Sequence, residues 1–253
     1  MRLQLFAARG ALACLVLAVL AGIGVVACVR LGLVTDKAGS TLMIPAVGLG
    51  LAALVLALVW LKWALTRNAG EGKRIGMAAL VGSLIFLYHP LTYLYYGVAA
   101  LPIHDVTTDP EDPPEFVALA KAQPANSRVF DGSRKIAYKG EQVTIAYALH
   151  DKYPALTKPH AGLLVSPQKA YWRAYATVQK LGWTIMDASE KDLRIEATDK
   201  SLWFGRISDI VVRVRPAGTM GSRIDLRAES RDGEKDHGRN AARLKTFFNQ
   251  FHF

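Results

Sequence analysis

Hydrophobic and polar positions fall into two regimes along this chain, and the regimes meet near residue 101. Before that point apolar residues run almost unbroken. Residues 11–34 are interrupted only by Arg30, residues 42–61 carry no charge, and residues 76–101 carry none either. Each run reaches the ~20 residues that a helix needs to cross hydrocarbon. Three transmembrane helices are therefore predicted.

Beyond residue 101 the periods become short. In "SPQKAYWRAYATVQKLG" (residues 166–182), Tyr171, Ala174, Tyr175, Val178 and Leu181 share one helical face, with Pro167 at the first helical position and Gly182 as terminator. "GWTIMDA" then leads through a turn at residues 189–192 to "LRIEATD", where Leu193, Ile195 and Ala197 alternate with Arg194, Glu196 and Thr198. "SDIVVRVR" alternates Ile210, Val212 and Val214 with Val211, Arg213 and Arg215. After a "PAGTMG" turn, "SRIDLRAESR" alternates Ile224, Leu226 and Ala228 with arginines and acids. Period two with one apolar side predicts an antiparallel sheet resting one face on a core. A last helix over residues 238–251 offers Ala241, Leu244, Phe248 and Phe251 to that core. Earlier, "KIAYKGEQVTIAYAL" reads as a hairpin turning at Lys139 and Gly140.

The expected fold is α+β: an antiparallel sheet with helices packed on one face, preceded by three transmembrane helices. Residues 1–101 form the membrane region. Residues 102–122 form an acidic, proline-rich linker with a short helix starting at Pro114. Residues 123–253 form an extracytoplasmic domain.

The net charge of +10 suggests nucleic acid only until it is located. Residues 1–101 hold eight Lys/Arg and two Asp/Glu (+6), and residues 102–253 hold 23 and 19 (+4). The excess flanks the apolar runs: Arg2 and Arg9 precede the first, and Lys62, Arg67, Lys73 and Arg74 separate the second from the third. By the positive-inside rule the N-terminus is expected in the cytoplasm and the C-terminal domain outside it; the expected location is a bacterial inner membrane with that domain periplasmic. Tyr93, Tyr95 and Tyr96 suit an interfacial belt, and no nucleic-acid partner is expected. "VVAC" at residues 25–28 fits the pattern before a lipidated cysteine, and it also fits an ordinary membrane helix. Cys14 and Cys28 share that helix about 21 Å apart by rise, so they cannot pair. His89, beside Pro90 near mid-span, is expected to bond backbone or a neighbouring helix rather than carry protons.

"RAESRDGEKDHGRN" (residues 227–240) spaces Arg227, Arg231, Lys235 and Arg239 by fours, which mimics a helical basic stripe. Alternation through Arg231 and the turn signal Asp232–Gly233 dissolve it. Arg227 and Arg231 belong to a strand, Lys235 to a loop and Arg239 to a helix start that Asp236 caps. Arg194, Glu196, Asp209, Arg213, Arg227 and Arg231 then share the polar side of the sheet. Fork-shaped guanidinium donors near a helix N-terminus could receive a carboxylate or phosphate, and cross-strand ion pairs on a solvated face would use the same residues. In "PIHDVTTDPEDPPEF" (residues 102–116), His104, Asp105 and Asp109 are weaker candidates, set against a turn whose Asp and Thr side chains bond their own backbone. The chain contains no nucleophile elbow, H-E-x-x-H or phosphate loop. No metal or cofactor is expected.

Over residues 100–253 the segments "IHDVTTD", "YP", "GW", "RIEAT", "WFGRISDIVVRV" and "RIDLRAESRDGEKDHGRNAARL" resemble, in order and spacing, the domain of unknown function 1499 family. Members of that family often carry membrane helices ahead of the domain. The resemblance implies no activity, but it singles out Glu196, Asp209, Arg213, Arg227, Ser230, Arg231, Gly233, Asp236, Gly238, Asn240 and Arg243. Ser208 stands where an acid is usual and Ala228 where a serine is usual. The functional expectation is a membrane-anchored binding or interaction domain, as an accessory subunit of a membrane complex. Its partners would be membrane lipid, another membrane or envelope protein, or a small acidic ligand. The alternative is a cell-envelope hydrolase using Glu196, Asp209 or His104.

Overall fold

A computed structural model describes residues 2–67, 72–122, 129–158, 160–163, 165–218, 221–233 and 235–251. The chain divides into two compact units. Met1–Tyr95 with Leu202–Gly205 makes a helical unit, and Tyr96–Ser201 with Arg206–Phe253 makes a sheet unit.

The helical unit holds α1 (Arg2–Arg30), α2 (Asp36–Arg67) and most of α3 (Lys73–Ala99), all long and apolar enough to cross a membrane. Even the shortest, at 27 residues, rises about 40 Å against ~30 Å of hydrocarbon. The first helix stops earlier than its apolar run because Gly32 takes a left-handed φ of 71°. This lets the Gly32 and Leu33 N–H groups bond back to the Val29 and Cys28 carbonyls, a standard helix ending. Without a hydrophobic drive between helices in lipid, close approach depends on small residues. Ala8, Ala11, Ala18, Ala53, Ala57, Ala79 and Ser83 are accordingly all buried. Trp60 and Leu87 are bulky and buried too, and the Trp60 ring leaves no room for a side chain at Gly76. The His89 ring meets Tyr88 and Trp203 edge-on, each 5.6 Å between centroids.

The sheet unit is the expected α+β arrangement. Its strands are β1 (Asp105–Thr107), β2 (Lys135–Tyr138), β3 (Glu141–Thr144), β4 (His160–Leu163), β5 (Thr184–Ser189), β6 (Arg194–Lys200), β7 (Ile207–Ala217) and β8 (Gly221–Ser230). The main sheet is antiparallel in the order β1-β8-β7-β6-β5, with β4 also pairing β8. Its helices are α4 (Ile145–Lys152), the single turn α5 (Pro154–Thr157), α6 (Pro167–Lys180) and α7 (Arg239–Gln250). Ala174, Val178, Leu149, Leu244 and Phe247 from these helices pack with Ile195, Ile210, Val212 and Leu226 in one core. The hairpin turns as expected at Lys139 and Gly140, both with positive φ, the two-residue geometry that matches strand twist. Of the "PAGTMG" turn, Thr219 and Met220 lie outside the described residues.

Two local expectations are corrected. "IAYAL" is helix rather than strand. The Thr144 hydroxyl accepts the Tyr147 N–H and caps α4, and Ile145, Ala148 and Leu149 then fall on one helical face. Within residues 102–122, Asp105–Thr107 joins the sheet, and the helix expected from Pro114 is only a 3-10 turn at Leu119–Ala122. A larger correction concerns the second face of the sheet. It is not solvated: Glu196, Asp209, Arg227 and Glu229 have no exposed surface. Residues 109–122 lie across it as a strap, with Phe116 and Leu119 packed on Val211.

Candidate functional site

The register of the strands writes the charged face as three rows. Arg194 pairs Arg213, which pairs Asp225. Glu196 pairs Val211, which pairs Arg227 and then Thr107. Thr198 pairs Asp209, which pairs Glu229 and then Asp105. Arg194, Glu196, Asp209, Arg213 and Arg227 therefore do share one side, as the alternation predicts. Their partners come from the strap and from the strands themselves.

Arg227 lies at the centre. Its Nε is 3.0 Å from Asp105 Oδ1, and one terminal nitrogen is 2.8 Å from Asp105 Oδ2 and 3.1 Å from Glu229 Oε2. The Phe116 ring lies 5.0 Å above its guanidinium carbon, a desolvated cation–π contact. Glu196 takes a different part. One carboxylate oxygen accepts the N–H groups of Val117 (2.8 Å) and Ala118 (3.1 Å), and the other accepts Leu119 N–H (2.8 Å). Arg194 Nε donates to the first oxygen at 2.9 Å. Glu196 thus supplies acceptors for the free amide donors at the start of the 3-10 turn, as a cap does for a helix. Toward the other edge, Asp109, Asp112 and Asp225 interleave with Arg213, Arg215 and Arg223. Arg231 grips Asp209 with two nitrogens, at 3.0 and 2.5 Å.

The remaining family-pattern residues form a separate knot where β8 hands over to α7. Asp236 accepts the N–H groups of Gly238 (2.8 Å) and Asn240 (2.7 Å), which realises the expected cap even though Gly238 occupies the cap position itself. The Asn240 amide nitrogen donates to the His104 carbonyl and to Ser230 Oγ, and Arg243 links Asn240 to Asp199. Gly233 and Gly238 both have positive φ, which explains glycine at those two positions. Lys235 is an exposed loop residue and Arg239 begins α7. The turn reading of residues 102–116 also has its bonds: Thr107 Oγ1 accepts Asp109 N–H, and Asp109 accepts Asp112 N–H.

Burial shapes the protonation of this unit. His104, His160 and His237 all lie below the ordinary imidazole value, with burial the principal cause in each. The unfolded chain therefore takes up protons first as pH falls, so stability is complete above the usual imidazole range and is lost as pH falls through it. Asp105 and Asp236 are pushed above the usual carboxylate value by burial, against the pull of Arg227 and of backbone N–H groups respectively. That shift acts in the opposite sense, because the folded form protonates first. The expected result is a thermal midpoint for the sheet unit that falls between about pH 7.5 and 5.5. The fall should flatten in a His104→Gln, His160→Gln, His237→Gln chain. A midpoint that rises over this interval would show the carboxylates in control instead.

The acid–base candidates are committed to structure: Glu196 to three amides and Arg194, and Asp209 to Arg231. His104 Nε2 stands 3.9 Å from Glu229 Oε1. An open depression of about 460 Å³ runs between Pro110, Phe130 and Thr144. Its Asp131 carboxylate accepts N–H groups from Ser133 and Arg134. Among the described residues, no three His, Cys, Asp or Glu side chains are grouped to hold a metal ion. Asp112, Arg215, Arg223, Asp225 and Glu229 were not picked out by the sequence. The available signal was charge complementarity between the acidic strap and the arginine-rich strands.

The family model described as protein of unknown function (DUF1499) matches residues 105–251. That interval covers the charged face and, apart from the His104 carbonyl, the knot at α7. No curated protein matches the chain.

Proposed function

The chain belongs to the DUF1499 family, and on that footing we propose that it is a membrane-anchored interaction protein, an accessory component of a membrane complex rather than an envelope hydrolase. One observation carries the reading: the carboxylates that a hydrolase would use are saturated by internal donors, Glu196 by three backbone amides and an arginine. A general acid or base must reach the proton it transfers, and a buried carboxylate bonded on both oxygens does not. Three apolar helices where one would anchor the domain favour lateral contact with another membrane protein. The Lys/Arg excess at the start of α1 and between α2 and α3 supports a cytoplasmic N-terminus and a periplasmic sheet unit.

The test is extraction of the tagged full chain from its native membranes in mild detergent. A partner held at constant stoichiometry is expected. A monodisperse 27.6 kDa chain with bound lipid and detergent alone contradicts the reading. An Arg213/Arg227/Arg231→Ala chain is unsuitable as the control, because it removes the counter-charges of buried acids. Replacing residues 1–95 with an unrelated span is better, since it separates partners held by the helices from partners held by the sheet unit.

A second reading, a site for a small acidic ligand, is favoured by Asp112. Its side chain is 60% exposed yet is held by Arg213 and Arg215. Burial works slightly against its charge, but those two arginines keep its carboxyl below the usual value. An external carboxylate or phosphate could take its place. Phosphate would then raise the thermal midpoint of an Asp112→Ala chain and leave the parent unchanged. Equal responses retire the site.

A further inference from the structure

"SLWFG" (residues 201–205) places three consecutive large apolar residues at the tip of a connection between two alternating strands. Connections of that kind are normally polar. Four of these residues, Leu202–Gly205, group with the helices rather than with the sheet that they connect. They touch all three helices. The Arg30 guanidinium at the end of α1 donates to the Leu202 carbonyl, the Phe204 ring lies against Gly39 near the start of α2, and the Trp203 ring meets His89 of α3. Gly205 has a φ of 64° and turns beside Arg30. The connection is therefore held at the end of the bundle where α1 passes into α2.

Docking does not bury it. Leu202 remains 75% exposed and Trp203 46%. On α3, whose His89 meets the Trp203 ring and stands against Tyr88, Tyr88, Leu91, Tyr93 and Tyr95 are each 45–70% exposed. On a helix apolar enough to cross a membrane, such side chains are covered by lipid. Tryptophan and tyrosine concentrate at the boundary between headgroups and hydrocarbon, where an apolar ring and a polar N–H or O–H are both accommodated.

We propose that Leu202–Gly205 is a bilayer anchor, with the Leu202 and Trp203 side chains seated at the headgroup–hydrocarbon boundary beside the tyrosines of α3. The anchor rests on the membrane-crossing reading of the helices. It adds a fourth attachment, made by the connection between β6 and β7, with phospholipid as the occupant. Arg30 positions it by holding the Leu202 carbonyl.

The test uses the full chain with Cys14→Ala and Cys28→Ala, reconstituted in phosphatidylcholine and phosphatidylglycerol vesicles that contain no other protein. A nitroxide is attached through Leu202→Cys, and its collisions with oxygen are compared with those of a water-soluble nickel chelate. Leu20→Cys on the exposed side of α1 gives the hydrocarbon reference, and Tyr147→Cys on α4 the aqueous one. The expected oxygen-to-nickel ratio at Leu202 is several-fold above that at Tyr147 and below that at Leu20. A ratio at Leu202 equal to that at Tyr147, with Leu20 reading as hydrocarbon, overturns the anchor and leaves the helices in the membrane. An aqueous reading at Leu20 overturns the membrane-crossing reading, and the anchor with it.

Discussion

Arg227→Ala lowers the stability of the sheet unit by about 3–5 kcal/mol, the cost of stripping the partner from a buried ion pair. For a unit of this size that is a fall of roughly 6–20 °C in thermal midpoint. The effect is large because Arg227 has no exposed surface and serves two acids at once, Asp105 and Glu229, with Glu229 equally buried. Water barely reaches Asp105 and does not reach Glu229, so one or both carboxylates must protonate or the strap must lift. Arg227→Lys recovers little, because a point ammonium cannot reproduce the two-pronged contact made by Nε and a terminal nitrogen. By contrast, Arg227→Met combined with Asp105→Asn and Glu229→Gln should regain most of the loss, since no charge is then stranded. A loss under about 1 kcal/mol for Arg227→Ala, as at an exposed pair, would mean the pair is solvated.

Glu196→Ala has the second largest effect, and it is local before it is global. Three backbone amides lose a charged acceptor, each such bond contributing about 1.5–3 kcal/mol when present. The contributions do not add, because the strap can detach and let water satisfy the amides. The expected global loss is about 2–4 kcal/mol, together with new protease cleavage inside residues 109–122 under native conditions. Glu196→Gln is a sharper probe. Its amide NH₂ would face N–H donors on one side, so only one oxygen remains to accept, and partial release is expected. A parent and a Glu196→Ala chain cut equally slowly would show that Phe116 and Leu119 hold the strap without the carboxylate.

These two residues also show what the sequence could and could not disclose. Strands β6, β7 and β8, the Lys139–Gly140 hairpin, α6 and α7 were legible because each has a clean period or a specific turn residue. The three apolar helices were legible from the length of their unbroken apolar runs, apart from their ends. The sharing of one face by Glu196, Asp209, Arg213 and Arg227 followed directly from period two. What covers that face did not. A polar side of a strand reads as solvated unless its counter-charges are known, and those of Arg227 and Arg213 come from Asp105 and Asp112, more than a hundred residues away. Helix α4 was missed because β-branched and aromatic residues in "IAYAL" also suit a strand, and a single Thr144 hydroxyl decides between them. Strand β1 was hidden because three residues carry no period.

The same closure explains why the family-pattern residues do not gather into one pocket. Arg213, Arg227, Arg231 and Glu196 fasten the strap and the strands, while Ser230, Asp236, Asn240 and Arg243 fasten α7 to β6, β8 and the His104 backbone. Residues used this way define a stiff module.

Amide hydrogen exchange of the intact chain at Val117, Ala118 and Leu119 tests this closure most directly. If Glu196 holds those three N–H groups over a buried charge network, they exchange as slowly as the amides of β6 and β7, within about tenfold. Exchange as fast as in an exposed loop would mean that the strap is open in solution, and the charged face would then have to be reconsidered as an accessible site.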